Sequence, residues 1–136
     1  MAKRVLVFGT FDGLHSGHLF FLRLARSLGE ELLVSVARDR HVQAFKQKQP
    51  QHPENDRLQA VRALSFVKEA ELSDEVPGSF GLLEKWHPDR VVIGHDQDEL
   101  ETALKAWASE QLSPPIIQRL EDEYAYGTCQ NCSCHH

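Results

Sequence analysis

The spacing of apolar residues changes within the first thirty positions, and this change constrains the fold more than any other feature. Residues 5–8 are a short apolar run rich in β-branched residues, which predicts a buried strand. Gly9, Gly13 and Gly17 interrupt the run, and from His18 onward the apolar residues recur at helical spacing. A strand therefore leads through a glycine-bearing loop into a helix. Such a junction points backbone N–H groups and the positive end of the helix dipole at the space above the strand, and this arrangement favours an anion site, most often for phosphate.

The loop also carries side chains that suit an anion. Thr10 offers a hydroxyl group, and His15 and His18 place two imidazoles three positions apart. If Ser16 or Gly17 lies near the helix N-cap, both rings face the same bound anion. A His-x-x-His pair alone is usually coincidental, and a Gly-Thr after a strand is often only a turn. The position of the pair between a strand and an amphipathic helix is what favours a functional role.

The rest of the chain alternates strands with helices. Further strands are predicted at residues 32–37, 67–72, 91–94 and 114–120, and further helices at 53–66, 80–86 and 98–111. Gly29 is predicted to cap the first helix, residues 39–54 to form a loop with at most one helical turn, and residues 74–78 to form a turn. A strand, helix and strand in succession predict parallel pairing with a right-handed crossover. The predicted fold is α/β, a Rossmann-like open sheet of about five parallel strands with helices on both faces.

Composition narrows the class of protein. The 136 residues, 41% hydrophobic and 26% charged, suit one soluble domain, predicted over residues 1–120 and followed by an irregular tail over 121–136. The net charge of −5 argues against broad nucleic-acid binding, which requires a basic face. The first strand begins too early for a signal peptide to precede it, and no apolar run is as long as a membrane span, so we expect a cytoplasmic protein. All three cysteines lie in the last eight residues, which argues against a disulfide framework.

The segment Gly9-Thr-Phe-Asp-Gly-Leu-His-Ser-Gly-His18 resembles the GTFDxxHxGH signature of the cytidylyltransferase-like nucleotidyltransferases. Later segments resemble successive blocks of the archaeal-type FAD synthases, which are FMN adenylyltransferases: Val36-Ala-Arg-Asp39, Lys46, Pro-Glu-x-x-Arg-Leu ending at Leu58, and Gly94-x-Asp-Gln97. The resemblance covers residues 3–97. Glycerol-3-phosphate cytidylyltransferases share most of this frame but usually carry Gly-Asp-Asp-Trp at positions 94–97, which favours adenylyl transfer here. Phosphopantetheine adenylyltransferases fit the later blocks less well.

The resemblance implies a reaction and a set of site residues. A phosphate oxygen of FMN, or alternatively of glycerol 3-phosphate, would attack the α-phosphorus of ATP or CTP, with Mg²⁺ on the triphosphate and pyrophosphate as the leaving group. His15, His18 and Lys46 would be catalytic, although a solvated loop lysine is the alternative for Lys46. The implied nucleotide and phosphate contacts are Gly9, Thr10, Phe11, Gly17, Arg57, Gly94 and Asp96, with Phe11 and Asp12 also shaping the loop. Dimers are common in such families, so a homodimer is a further possibility.

The last sixteen residues depart from the family pattern. Relatives carry a Ser-Ser/Thr-x-Lys-Ile segment, often after an arginine, whereas nothing after Arg119 aligns with it, although Thr128 or Ser133 could substitute. An incomplete phosphate grip would leave a catalytically impaired nucleotide-binding module, the second hypothesis. The tail also holds enough soft ligands for a tetrahedral Zn²⁺ site, against the alternative of a disordered terminus. These ligands are Cys129, Cys132, Cys134 and His135.

Overall fold

Five parallel strands form a single sheet in the computed structural model, which describes residues 3–46, 50–74, 80–94 and 97–120, with the backbone alone at 44–46. The strands are β1 (Arg4–Gly9), β2 (Glu31–Val36), β3 (Glu69–Leu72), β4 (Arg90–Ile93) and β5 (Ile116–Arg119). Every neighbouring pair is parallel, with Leu6 opposite Leu33 on one side of β1 and opposite Val91 on the other. The predicted α/β fold is confirmed.

The helices are α1 (Ser16–Arg26), α2 (Asp39–Lys46), α3 (Glu54–Arg62), α4 (Gly81–Trp86) and α5 (Asp98–Ala108). Pro53 precedes α3, and Glu54 and Asp56 lie in its first turn, where acidic residues interact favourably with the helix dipole. Within the part of the chain that the structure describes, no helix reaches the length and hydropathy needed to cross a bilayer.

The strand order β3-β2-β1-β4-β5 places the functional motif. The chain proceeds outward from β1 through β2 to β3, then crosses back to β4 and proceeds outward again to β5. The carboxyl ends of β1 and β4 therefore lie side by side at the point where the strand order reverses. In open parallel sheets this crevice is where ligands bind.

Side chains of the two sheet faces pack into separate hydrophobic clusters. One face packs against α1 and α3, where Leu22, Val61 and Val34 have no measurable exposure. The other face packs against α4 and α5, where Leu83 and Leu104 cover Leu6. Helices thus cover both faces, as the periodicity predicts, and the polar groups of the motif remain at the edge between them.

Two local predictions are wrong. Residues 39–46 form helix α2 instead of a loop with one turn, and its first residue, Asp39, accepts a charged hydrogen bond from Arg57 and donates its N–H to Glu54. Gly29 does not cap α1, since the C-cap is Ser27. Gly29 instead lies where a Cβ would come 2.6 Å from the Val5 side chain and 2.9 Å from the carbonyl oxygen of Lys3, so glycine permits the close approach of this backbone to the start of β1.

Candidate active site

Helix α1 begins at the carboxyl edge of the sheet, and a histidine caps it. His15 is the N-cap residue, and its Nδ1 accepts the backbone N–H of Gly17 at 3.0 Å. Because Nδ1 is an acceptor, a neutral His15 ring carries its proton on Nε2 and presents that N–H as a donor. Burial lowers the pKa of His15 below its ordinary value of 6.5, which favours the neutral ring. The first turn of α1 therefore supplies a fixed N–H donor beside the positive end of the helix dipole.

The two motif histidines stack on each other. Their ring centroids are 3.9 Å apart and their planes are inclined by 22°. His18 also contacts the edge of the Phe11 ring, with 5.5 Å between centroids. The ring contacts hold both imidazoles in position. Because both residues are only partly buried, the rings stay accessible to solvent. The structure therefore places the two rings side by side at the start of α1, and their contact with a single anion stays a prediction.

The Phe11 ring fits only because residue 9 is glycine. Phe11 adopts the left-handed region with φ of 54°, which is rare for a bulky residue, and its side chain is buried. A Cβ on Gly9 would lie 2.5 Å from the Phe11 ring. Phe11 therefore packs against His18, and Gly9 leaves free the space that the Phe11 ring occupies.

Three successive carbonyl groups at the end of β1 all accept hydrogen bonds from within the protein. The donors are Gln97 Nε2 to Phe8 O (3.1 Å), Ala37 N to Gly9 O (2.9 Å) and Arg57 Nη1 to Thr10 O (2.8 Å). Each donor comes from a different part of the chain. These carbonyls, two at the end of β1 and one on the loop that follows, are therefore already satisfied by donors of the same chain.

Arg57 fastens the ends of two strands together. Its side chain has no exposure, and its guanidinium donates to the carbonyls of Thr10 and Ala37 (both 2.8 Å) and of His52 (3.0 Å). A fourth bond reaches the Asp39 carboxylate at 2.6 Å. In place of the ligand anion that the sequence suggests, Arg57 meets an anion of its own chain. It is a positioning residue for the loop after β1.

Asp12 connects the same loop to the segment before α3. Its carboxylate accepts the backbone N–H groups of Gln51 (2.7 Å) and His52 (2.9 Å) and also contacts the His52 ring nitrogen at 2.9 Å. Partial burial acts to raise the pKa of Asp12, but the hydrogen bonds from Gln51 and His52 outweigh it and lower the pKa below 3.8. Residue 52 is thus held at its N–H by Asp12 and at its carbonyl by Arg57.

The structure brings most of the predicted site residues to one edge of the sheet. His15, His18 and Gly17 lie at the start of α1, and Thr10 lies on the loop before it, with Gly9 and Phe11 packed beneath. Gly94 follows β4, next to β1, but its N–H is taken by the Gln97 side chain at 2.7 Å. Lys46 ends α2, and its side chain is outside the described residues. So are Asp96 and the tail residues Cys129, Cys132, Cys134 and His135.

Sequence reasoning missed two residues that shape this edge. The sequence indicates Gln97 only as the last residue of the Gly94-x-Asp-Gln97 block, yet its carboxamide spans from Gly94 to Phe8. Asp39 was likewise noted only within a block, yet it is the anion that Arg57 meets. One signal in the sequence points to such a partner. Arg57 lies in the first turn of α3, where the helix dipole disfavours a cation, and a nearby carboxylate would compensate for this.

Comparison with known proteins agrees with the motif. A family model described as cytidylyltransferase-like matches residues 6–126. The chain is 41% identical over 95 residues to the FAD synthase of Pyrococcus abyssi, covering 70% of this chain and 64% of that protein, just under two thirds of its length. It is 49% identical over 130 residues to the FAD synthase of Methanococcoides burtonii, covering 96% and 87% of the two chains. A crystal structure described as a lipopolysaccharide core biosynthesis protein from Thermoplasma volcanium matches with a TM-score of 0.80 at 32% identity, and the match covers 91% of this chain and 99% of that chain.

Proposed function

Since this chain belongs to the cytidylyltransferase-like family, we propose that it is a nucleotidyltransferase that transfers the adenylyl group of ATP to FMN, with release of pyrophosphate. The observation that carries the proposal is the stacked pair of His15 and His18 at the start of α1, above the switch point of the sheet. The FAD synthase relatives support ATP and FMN as the substrates. The glutamine at position 97, where cytidylyltransferases usually carry tryptophan, supports the same choice.

The proposed reaction needs no covalent bond to the protein. A phosphate oxygen of FMN attacks the α-phosphorus of ATP, the bond to the bridging oxygen breaks, and pyrophosphate leaves with the electron pair. Negative charge grows on the α-phosphate and the bridging oxygen. The chain therefore contributes orientation and donors that are already in place, which are the terms that dominate such catalysis.

Each residue then has a specific task. His15 donates its Nε2–H to the triphosphate, because its Nδ1 is committed to Gly17. His18, held between Phe11 and His15, is the second donor. Thr10 adds its hydroxyl group as a further donor to the triphosphate. Lys46 is proposed to neutralise the pyrophosphate, and Asp96 to contact the nucleoside.

Mg²⁺ enters this proposal as part of the substrate. Within the described ranges, no group of three or more His, Cys, Asp and Glu side chains is arranged to hold a metal ion. Mg²⁺ commonly keeps several waters and takes ligands from phosphates, so the donors of this edge suit a triphosphate that arrives with its own ion. The Zn²⁺ site suggested for the tail stays a prediction, as do the homodimer and the absence of nucleic-acid binding. We also infer a cytoplasmic location.

The experiment that tests the proposal pairs two nucleotides with two acceptors. Pyrophosphate release is followed with ATP or CTP against FMN or glycerol 3-phosphate, with Mg²⁺ throughout. We expect turnover with ATP and FMN and none with CTP and glycerol 3-phosphate. Turnover with the second pair alone would show a cytidylyltransferase. Binding of ATP, measured as a rise in thermal stability, with no turnover on either acceptor would show a binding module.

A further inference from the structure

The pairing between β1 and β4 stops short of the candidate site. The parallel register runs through Leu6 opposite Val91 and ends with Val7 opposite Val92. On the other side of β1, pairing with β2 continues two residues further, to Gly9 opposite Val36. The two strands that border the crevice are therefore no longer joined by their backbones where the motif begins.

The Gln97 side chain bridges this interval. Its Oε1 accepts the backbone N–H of Gly94 at 2.7 Å, and its Nε2 donates to the carbonyl of Phe8 at 3.1 Å. Gln97 N also donates to Gly94 O at 3.2 Å, so residues 94 and 97 are bonded twice. Gln97 is the N-cap residue of α5, yet its side chain forms no capping bond to that helix. Its carboxamide is used between the strands instead.

We propose that Gln97 is a positioning residue that fixes the distance between the phosphate loop, residues 10–15 after β1, and the segment after β4. A carboxamide suits this task because it carries an acceptor and a donor at a fixed separation, one for each strand end. No ligand contact by Gln97 is required. The inference rests on the proposed function in one respect, which is that a nucleoside triphosphate spans the two strand ends.

This role has a consequence that depends on the size of the ligand. ATP would contact the phosphate loop with its triphosphate and the β4 side with its nucleoside, so its affinity depends on the distance between them. Pyrophosphate would contact the phosphate loop and Lys46, and would not reach the β4 side. Loss of the Gln97 bridge should therefore weaken ATP binding and leave pyrophosphate binding nearly unchanged. A general loss of folding would weaken both.

The test compares Kd values for ATP and pyrophosphate, each with Mg²⁺, by titration calorimetry on the full chain. Gln97→Met keeps the length of the side chain and removes both hydrogen bonds. Gln97→Glu keeps an acceptor for Gly94 and places a second oxygen against the Phe8 carbonyl. The matched control is Gln118→Met in β5, whose carboxamide accepts a bond from Arg90 away from the crevice.

We expect both Gln97 variants to bind ATP about five- to ten-fold more weakly, because binding must then restore a spacing that one or two net hydrogen bonds hold in the wild type, with pyrophosphate within two-fold of wild type. The control should match wild type for both ligands. An unchanged ATP affinity in Gln97→Met, or an equal loss for both ligands, would overturn the inference. A wild-type chain that binds ATP but forms no FAD would overturn the proposed function and leave this result standing, whereas a wild-type chain that binds no ATP would overturn both.

Discussion

Replacement of Arg57 by methionine tests whether the buried guanidinium organises the site. Methionine fills much of the same volume but leaves the carbonyls of Thr10, Ala37 and His52 without their donor and Asp39 without its cation. An unsatisfied buried acceptor costs about 1–3 kcal/mol, and because Thr10 and Ala37 are half-buried and His52 is exposed, each carbonyl lies at the low end of that range. Asp39 is 36% exposed, so solvent compensates for most of the lost ion pair. We therefore expect Arg57→Met to lower the free energy of unfolding by about 3–5 kcal/mol, or roughly 10–20 °C in Tm.

The measurement is urea unfolding followed by the fluorescence of Trp86 and Trp107. Arg62→Met is the control, because Arg62 lies on the same helix, is exposed and donates once, to a carbonyl at 3.0 Å. It should cost about 0.5–1.5 kcal/mol. If Arg57→Met costs no more than the control, the internal bonds described above are not what stabilises this edge. Arg57→Lys should recover only part of the loss, since one ammonium group cannot reach acceptors on several sides.

Three further changes probe the loop itself. His18→Ala should lower kcat on the order of 10²–10³, the usual loss for one preorganised donor, whereas the exposed His87→Asn should leave it unchanged; a few-fold effect of His18→Ala would exclude the proposed contact. Because the folded-state pKa of Asp12 lies below 3.8, its carboxylate stabilises the fold above that pH, and this stabilisation is lost on acidification. Asp12→Asn should therefore lower the free energy of unfolding at pH 7 and make it depend less on pH between pH 5 and 2. Gly9→Ala should cost about 1–3 kcal/mol in urea unfolding, because its Cβ would meet the buried Phe11 ring; equal stability would mean that the ring moves freely.

The fold could be predicted because its signals are local. The change from a β-branched run to helical spacing around Gly9 fixed the first strand and helix, and similar transitions fixed the later ones. Helix α2 escaped prediction because its eight residues, Asp39–Lys46, are polar on the whole, and of its described side chains only Val42 is buried. Its first turn is held by Arg57 and Glu54, which are distant in sequence. Tertiary contacts decide such a segment, and no short window contains them.

The groups in and around the phosphate loop differ in how far the sequence predicts their arrangement. The groups proposed to contact the ligand belong to the contiguous motif of residues 9–18, so ten residues of sequence are enough to propose them. The carbonyl groups of Phe8 and Gly9 at the end of β1, and of Thr10 just after it, would repel a triphosphate if they turned toward it. Their donors are Gln97, Ala37 and Arg57, which lie 89, 28 and 47 positions away from the carbonyls that they bind. The motif therefore supplies the donors proposed to meet the anion, and residues far along the chain occupy the carbonyl acceptors beside them. An intact motif in a chain that lacked Arg57 and Gln97 would be weak evidence for triphosphate binding.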